Sequence, residues 1–156
     1  MDYPWWSSDL LWSDPLHVIF LGIGRDFVAS LLKLFLLADV FVGKNWEDKN
    51  NVAFQQFREF CKSNKKASPS IETMDIKQPL GYPTIVGAKA MDIKFMIAWL
   101  ASIAEKYVAE HCLLVQTTIF CLMKFVAVMD HAGFFVSDSE AVDLIEVRLY
   151  DKTFWA

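Results

Sequence analysis

Two short segments carry the residue types that hold metal ions or move protons, and the first lies near the start of the chain. Asp14-Pro15-Leu16-His17 places a carboxylate and an imidazole three residues apart. On a helix that begins at Asp14, this spacing lets both side chains point the same way, so that they could share a metal ion or a hydrogen bond. The alternative is that Asp14 caps the helix and His17 is a partly buried core residue. From residue chemistry alone the structural alternative is favoured.

The second segment is Lys89-Ala90-Met91-Asp92, which opens a strongly helical stretch. It puts one acid, Asp92, between the cations Lys89 and Lys94. A carboxylate in this position can bind a metal ion, but an acid in the first turn is also favoured by the helix dipole alone. Without further information, structural use is again the better interpretation.

The remaining histidines and the cysteines do not form a recognisable site. His111 and His131 are single residues, each beside an acid, and such histidines are usually on the surface. The cysteines Cys61, Cys112 and Cys121 lie in apolar or helical pattern without a CxxC pair. They are interpreted as small core residues in a reducing compartment. No Ser-His-Asp or Cys-His arrangement can be defended.

Composition limits the class of protein. The 156 residues are 54% hydrophobic and 15% aromatic, with six Trp and thirteen Phe. This is ample for one core and more than a small monomer easily hides, so we expect some aromatic surface to meet a protein partner or a second copy. The net charge of −4 argues against an autonomous nucleic-acid module. Lys62, Lys65, Lys66 and Lys77 are the best local candidates for DNA contact, although a short charge run is usually a solvated loop.

Apolar periodicity predicts an all-α fold, an irregular bundle of five or six helices in a single domain spanning residues 1–156. A connecting loop over about 64–87 contains Pro69, Pro79 and Pro83, with one short helix after Pro69. Asn45 should cap the third helix, and Ser137 and Glu140 form a capping box. The predicted helices cover residues 16–23, 25–42 (ended by Gly43), 45–63, 88–107, 109–131 (ended by Gly133) and a segment from 137 onward.

Taken together, the two segments resemble a known family. The sequence DPLH at residues 14–17, followed by FLGIGRD at 20–26, resembles the "D-x-x-H … LG-x-x-(R/K)" region of eukaryotic DDE/D transposases of the CACTA and KDZ kind. In that family an all-helical insertion into an RNase H-like core follows this region and ends in a helix opening "K-A-x-E". The sequence KAMD at residues 89–92 stands where that motif is expected, with Asp92 in place of the metal-binding Glu.

The resemblance implies a catalytic, metal-binding role for Asp92, with Asp14, His17 and Lys89 as associated motif residues. The family's other acids and most RNase H-like strands would lie upstream of Asp14. Two-metal strand cleavage needs several carboxylates around two Mg²⁺ ions about 4 Å apart, so one acid cannot assemble the site. We therefore expect an inactive transposase-derived fragment, nuclear or cytoplasmic. Mg²⁺ and DNA would be bound only as part of a complete nuclease.

Two other classes of function fit the same composition. Residues 27–42 and 112–129 are apolar enough to suggest a small integral-membrane subunit located in a membrane. The charges within them weigh against this, because a Lys or Asp at the bilayer centre costs about 2.5–3.5 kcal/mol. The other alternative is a helical protein-interaction module that binds a partner through exposed Trp and Phe side chains.

Overall fold

In the computed structural model, the described residues are 16–74, 76, 83, 85–107, 113–131 and 137–142, and this part of the chain is all-α with no β-strand. The prediction of an all-α fold is confirmed. A helical turn covers residues 138–142. The five longer helices are α1 Leu16–Ile23, α2 Gly24–Leu37, α3 Trp46–Ser63, α4 Ala90–Tyr107 and α5 Leu113–His131.

α4 is the central helix, and it packs against each of the other four. Met91 in its first turn is 52% exposed, whereas most of its other apolar residues are buried. A helix with neighbours on several sides buries residues around most of its circumference, so no single stripe describes it. Its buried apolar residues include Ile93, Met96, Ile97, Trp99, Leu100, Ala101, Ile103 and Ala104.

Trp99 of α4 is the centre of an aromatic cluster. Its ring lies 5.8 Å from the ring of Phe41 and 5.4 Å from the ring of Phe57, measured between centroids. Phe41 and Phe57 are fully buried. Phe57 belongs to α3, whereas Phe41 comes from the segment after α2. The cluster therefore joins three parts of the chain, and burying each such side chain contributes about 1.5–3 kcal/mol.

α2 ends earlier than the sequence predicts, at Leu37 rather than Val42. Asp39 has a φ of 57°, in the left-handed region. The N–H of Val40 donates to the carbonyl of Phe35 across 3.1 Å, which closes the helix end. Asp is one of the few residues that tolerate this conformation, and the turn directs the next residues into the core.

Gly43 was predicted to end a helix, and this prediction is wrong. Gly43 instead lets the chain pass close to the start of α3. A Cβ atom on Gly43 would lie 2.6 Å from the backbone nitrogen of Lys49. The side chain of Asn45 accepts a hydrogen bond of 2.8 Å from the N–H of Asp48. The predicted N-cap at Asn45 and the predicted end near Ser63 are therefore confirmed.

The C-terminus of α3 closes with a Schellman motif. Lys65 has a φ of 52°, and its N–H donates to the carbonyl of Lys62 across 3.2 Å. The N–H of Lys66 reaches back to the carbonyl of Cys61 across 2.9 Å. These two bonds satisfy carbonyls that the helix leaves without partners. Glycine is the usual residue at the position that Lys65 occupies.

Two helix ends have distinct local geometry. α1 is π-type, and Gly22, inside α1 one residue before its end, has non-helical backbone angles that mark a kink there. At Ser137, the N–H and the hydroxyl each donate to Glu140 Oε2 across 2.7 Å. The N–H of Glu140 donates to Ser137 Oγ across 3.3 Å, which confirms the capping box. The predicted start of the fifth helix at 109–112 and its stop at Gly133 lie outside the described residues.

α5 is joined to α4 by packing and by an ion pair between Lys94 and Asp130. Both side chains are partly exposed, and such pairs contribute at most about 1 kcal/mol. Among the helices that the structure describes, none combines the length and apolar character that crossing a membrane requires.

Candidate functional site

The connection between α3 and α4 is long, non-helical wherever it is described, and packed against the helices. The short helix expected after Pro69 is absent from residues 66–74, so that prediction is wrong. The connection is fixed instead by its own apolar side chains and by two polar anchors. Its buried side chains are Ile71, Met74, Ile76 and Ile85.

The first anchor is Asn50, a buried polar residue of α3 that is 6% exposed. Its side-chain oxygen accepts from the N–H of Ile76, and its side-chain nitrogen donates to the carbonyl of Ile76, both across 3.4 Å. Trp46 Nε1 donates to the same carbonyl across 2.6 Å. The buried backbone N–H and carbonyl of Ile76 are thus both paired, as buried polar groups require.

The second anchor is Asp92, in the first turn of α4. Asp92 is 4% exposed, and its carboxylate accepts three hydrogen bonds. Oδ1 accepts from the N–H of Ser70 across 2.9 Å, and Oδ2 accepts from the N–H of Lys89 across 2.9 Å. Oδ2 also accepts from the hydroxyl of Ser70. The carboxylate therefore joins the connection to the N-terminus of α4.

The bond from Lys89 to Asp92 is one half of a capping box. α4 begins at Ala90, so Lys89 is the N-cap residue and Asp92 occupies the third helical position. In a capping box the acid at this position reaches back to the N–H of the cap residue. A lysine side chain cannot accept a bond from the helix, so the other half of the motif is missing. The N–H and the hydroxyl of Ser70 donate further hydrogen bonds to the Asp92 carboxylate.

This geometry decides what Asp92 can do in the described part of the protein. A carboxylate has about four lone-pair positions, and three are occupied by donors. The described residues include no group of three His, Cys, Asp or Glu side chains that could hold a metal ion. Its contacts are those of a structural carboxylate, although the metal-binding role that the resemblance implies stays a prediction.

The other motif residues have few described contacts. Asp14 lies outside the described residues, as does His111. His17 lies in α1, which packs against α4, but its side chain is not among those described. Lys89 meets Asp92 through its backbone, and its side chain is exposed. Of the four motif residues, the described structure therefore shows a contact only between Lys89 and Asp92.

Cys61 is a buried thiol in the environment of Asp92. Burial raises the pKa of Cys61 above its ordinary value of 9.0, the charge of Asp92 raises it further, and the charge of Lys66 lowers it. Cys61 is 1% exposed. A thiol of this kind is protonated at neutral pH and is a poor nucleophile. The interpretation of Cys61 as a small core residue is confirmed.

A shallow groove of about 520 Å³ lies between α3 and the start of the connection. Its cations are Arg58, Lys62 and Lys66, and Glu59 is its acid. Lys66 Nζ lies 5.7 Å from the centre of the Phe95 ring. Lys62 and Lys66 belong to the basic run singled out in the sequence, but the groove lies at the C-terminal end of α3. The helix dipole there disfavours an anion.

Sequence reasoning missed Ser70 and Asn50. Asn50 could have been found, because it shares the buried face of α3 with Ala53, Phe57 and Cys61. A polar residue on an apolar helix face usually has a specific buried partner. Ser70 carries no comparable signal, since it is exposed and lies in an irregular segment next to a proline.

Comparison of the chain with protein-family models, with curated proteins and with solved structures finds no match. What is established is therefore the all-α fold and the anchoring of the α3–α4 connection through Asn50 and Asp92.

Proposed function

We propose that this chain is a non-catalytic helical domain of a transposase-like protein, an inactive or decayed relative of the DDE/D nucleases. The observation that carries the proposal is the use made of Asp92, whose carboxylate accepts hydrogen bonds from Ser70 and Lys89 in a buried position. An acid held in this way stabilises the helical domain and does not need a metal ion. The domain then acts as a scaffold.

Two features support the kinship. The motif segments at 14–17, 20–26 and 89–92 occur in the order that the family resemblance requires. The all-α fold between the second and third segments agrees with the helical insertion expected there. Under this proposal, Mg²⁺ and DNA are bound only within a larger protein that supplies the other acids, and the protein works in the nucleus or the cytoplasm.

The proposal is tested by incubating the purified chain with supercoiled DNA and Mg²⁺, beside an Asp92→Asn variant as the matched control. We expect no nicking by either protein, because a single acid cannot hold the two metal ions of strand cleavage. Magnesium-dependent nicking by the wild-type chain that the Asp92→Asn substitution abolishes, while circular dichroism shows the variant still folded, would contradict the proposal.

A helical protein-interaction module is the second candidate, favoured by a separate observation. Large aliphatic side chains are exposed at Ile23, directly before α2, and at Leu34 and Leu37 on the outward side of α2. Among the described residues, the exposed large apolar side chains include only one aromatic, Phe120. The surface available to a partner is thus mainly aliphatic where it is described, whereas the sequence suggested an aromatic one.

A further inference from the structure

One serine of the α3–α4 connection lies in the sequence context that proline-directed serine/threonine protein kinases recognise. Of the five prolines in the chain, only Pro69 follows a serine or threonine, which is Ser68. A residue before proline favours an extended backbone, the conformation in which a kinase holds its peptide substrate. The sequence therefore offers one site to this class of kinase.

The segment that carries Ser68 is accessible from outside. Every residue from Lys62 to Ser68 is exposed. Residues 66–69 lie in neither a helix nor a turn, so the backbone at Ser68 does not have to leave regular structure to enter a kinase. Ser68 also lines the groove between α3 and the start of the connection. A group added to its hydroxyl can therefore enter that groove.

The groove beside Ser68 supplies the charges that hold a phosphate. The cations among its described lining residues are Arg58, Lys62 and Lys66. Arg58 and Lys62 are four residues apart on α3, so they lie one turn apart on one face of the helix. None of these three cations takes part in an ion pair within the described part of the chain. They are therefore available to an anion on Ser68.

We infer that Ser68 is a phosphorylation site and that its phosphate binds the cations of the groove, Arg58, Lys62 and Lys66. In the transfer, Ser68 Oγ forms a bond to the γ-phosphorus of ATP, and the bond from that phosphorus to the bridging oxygen breaks. The hydroxyl proton passes to the catalytic carboxylate of the kinase, and ADP leaves. The modified side chain carries a charge of about −1.5 to −2 at neutral pH and three acceptor oxygens.

A phosphate attached to Ser68 can bind where the helix dipole disfavours a free anion. The N–H groups of Lys65 and Lys66 already pair with two of the last carbonyls of α3. A tethered phosphate also has a high effective concentration at the groove, whereas a free one must be captured from solution. Glu59 opposes binding, but its carboxylate accepts a hydrogen bond of 3.1 Å from Gln55. Space is sufficient, since the groove of about 520 Å³ greatly exceeds the roughly 30 Å³ of one water molecule.

The bound phosphate gives the connection an additional anchor. Two residues after Ser68, the N–H of Ser70 donates to Asp92 of α4 across 2.9 Å. A phosphate held by Arg58 and Lys62 ties the same segment to α3. The modified segment is then fixed to both helices at once, which is how phosphorylation opposite a cluster of cations orders a loop.

The first test is phosphorylation of the purified chain by a proline-directed kinase with ATP, with the modified residue mapped by tandem mass spectrometry. A synthetic peptide of residues 62–73 is the reference, because it carries the same sequence without the fold. We expect the phosphate on Ser68 in both, and its loss in Ser68→Ala. Modification of the peptide but not of the folded chain, or of neither, would overturn the inference.

The second test asks whether the phosphate binds the groove. Phosphorus NMR gives the second pKa of the phosphoserine, which is about 6 without a partner. Cations favour the doubly charged form, so this pKa should be lower in the phosphorylated chain than in the phosphorylated peptide by roughly 0.5 units or more. An equal pKa in the two would show that the phosphate stays in solvent and would contradict the inference.

Two substitutions of equal charge locate the contact. Lys62→Gln removes a cation that lines the groove, so the pKa of the phosphoserine should rise towards that of the peptide. Lys65→Gln is the matched control, because Lys65 is exposed in the same basic run but is not among the groove residues. It should change the pKa less. A larger effect of Lys65→Gln, or equal effects, would exclude the groove as the binding site. These outcomes do not depend on the DNA-nicking assay.

Discussion

At the start of α4, the Asp92 carboxylate is buried with three hydrogen-bond donors, and the effect of removing any of them can be estimated. A hydrogen bond to a charged group contributes about 1.5–3 kcal/mol when it is shielded from water. The Ser70 side chain is exposed, which lowers this figure. The buried surroundings therefore hold the Asp92 carboxylate in place more than the Ser70 hydroxyl does. The carboxylate in turn holds the α3–α4 connection.

Ser70→Ala removes the hydroxyl donor but keeps the backbone donor. We expect the free energy of unfolding to fall by about 1–2 kcal/mol in urea denaturation. Ser68→Ala is the matched control, because Ser68 is exposed on the same segment. Its effect should stay within about 0.5 kcal/mol. Equal effects of the two substitutions would show that the hydroxyl bond to Asp92 contributes nothing.

The buried thiol of Cys61 gives a prediction on pH. Burial, and secondarily the charge of Asp92, raise the pKa of Cys61 above 9.0, while Lys66 lowers it. Since the folded pKa exceeds the unfolded one, the stabilising effect is complete below the unfolded pKa and is lost as the pH rises through the folded pKa. Between about pH 7 and pH 10, wild type should lose more stability than Cys61→Ala in denaturant titrations. Parallel pH profiles of the two proteins would refute this.

At the scale of the elements, the helix starts were readable from the sequence and some helix ends were not. Asn45 and Ser137 cap their helices with side chains, so residue type alone reveals them. The end of α2 depends on Asp39 in a left-handed conformation and on Phe41 entering the core against Trp99. Those contacts join residues that are distant in the sequence. From the sequence alone, the apolar residues after Leu37 are equally consistent with a continuing helix.

The α3–α4 connection shows the same division for the candidate site. The sequence identified Asp92 as the acid worth examining and offered both a metal-binding and a structural reading of it. It could not supply Ser70, because 22 residues of chain separate Ser70 from Asp92. The anchoring of Ile76 by Asn50 spans 26 residues and was equally out of reach. Pattern analysis finds local partners, whereas these pairs form only when the helices pack.

The C-terminus of α3 gives a prediction at this scale. Lys65 holds a left-handed backbone conformation with a φ of 52°. Glycine adopts this conformation without steric cost, so Lys65→Gly should raise the free energy of unfolding by about 0.5–1 kcal/mol. Lys62→Gly, three residues earlier and still in the helix, should lower it by a similar amount. Thermal melts followed by circular dichroism would measure both, and destabilisation by Lys65→Gly would show that the motif does not govern this helix end.

For the molecule as a whole, α4 packs on all four other helices, and the α3–α4 connection is tied to it through Asp92. Asp92, the acid that the family resemblance implies is a metal ligand, thus lies at the start of α4. Fixing this start positions α4 for its packing against the other helices. A metal-binding carboxylate and a structural one respond in opposite ways when the charge is removed. Neutralising a buried metal ligand that holds no ion removes an uncompensated charge, whereas neutralising a carboxylate with three donors deprives those donors of their charged acceptor.

The most direct measurement is the free energy of unfolding of the wild-type chain and of Asp92→Asn, each with and without about 10 mM Mg²⁺. Our account predicts that Asp92→Asn is less stable than wild type by about 1–3 kcal/mol and that Mg²⁺ changes neither value. If Asp92→Asn is as stable as wild type or more stable without metal, and Mg²⁺ stabilises only the wild type, then Asp92 is a metal ligand and the account is wrong.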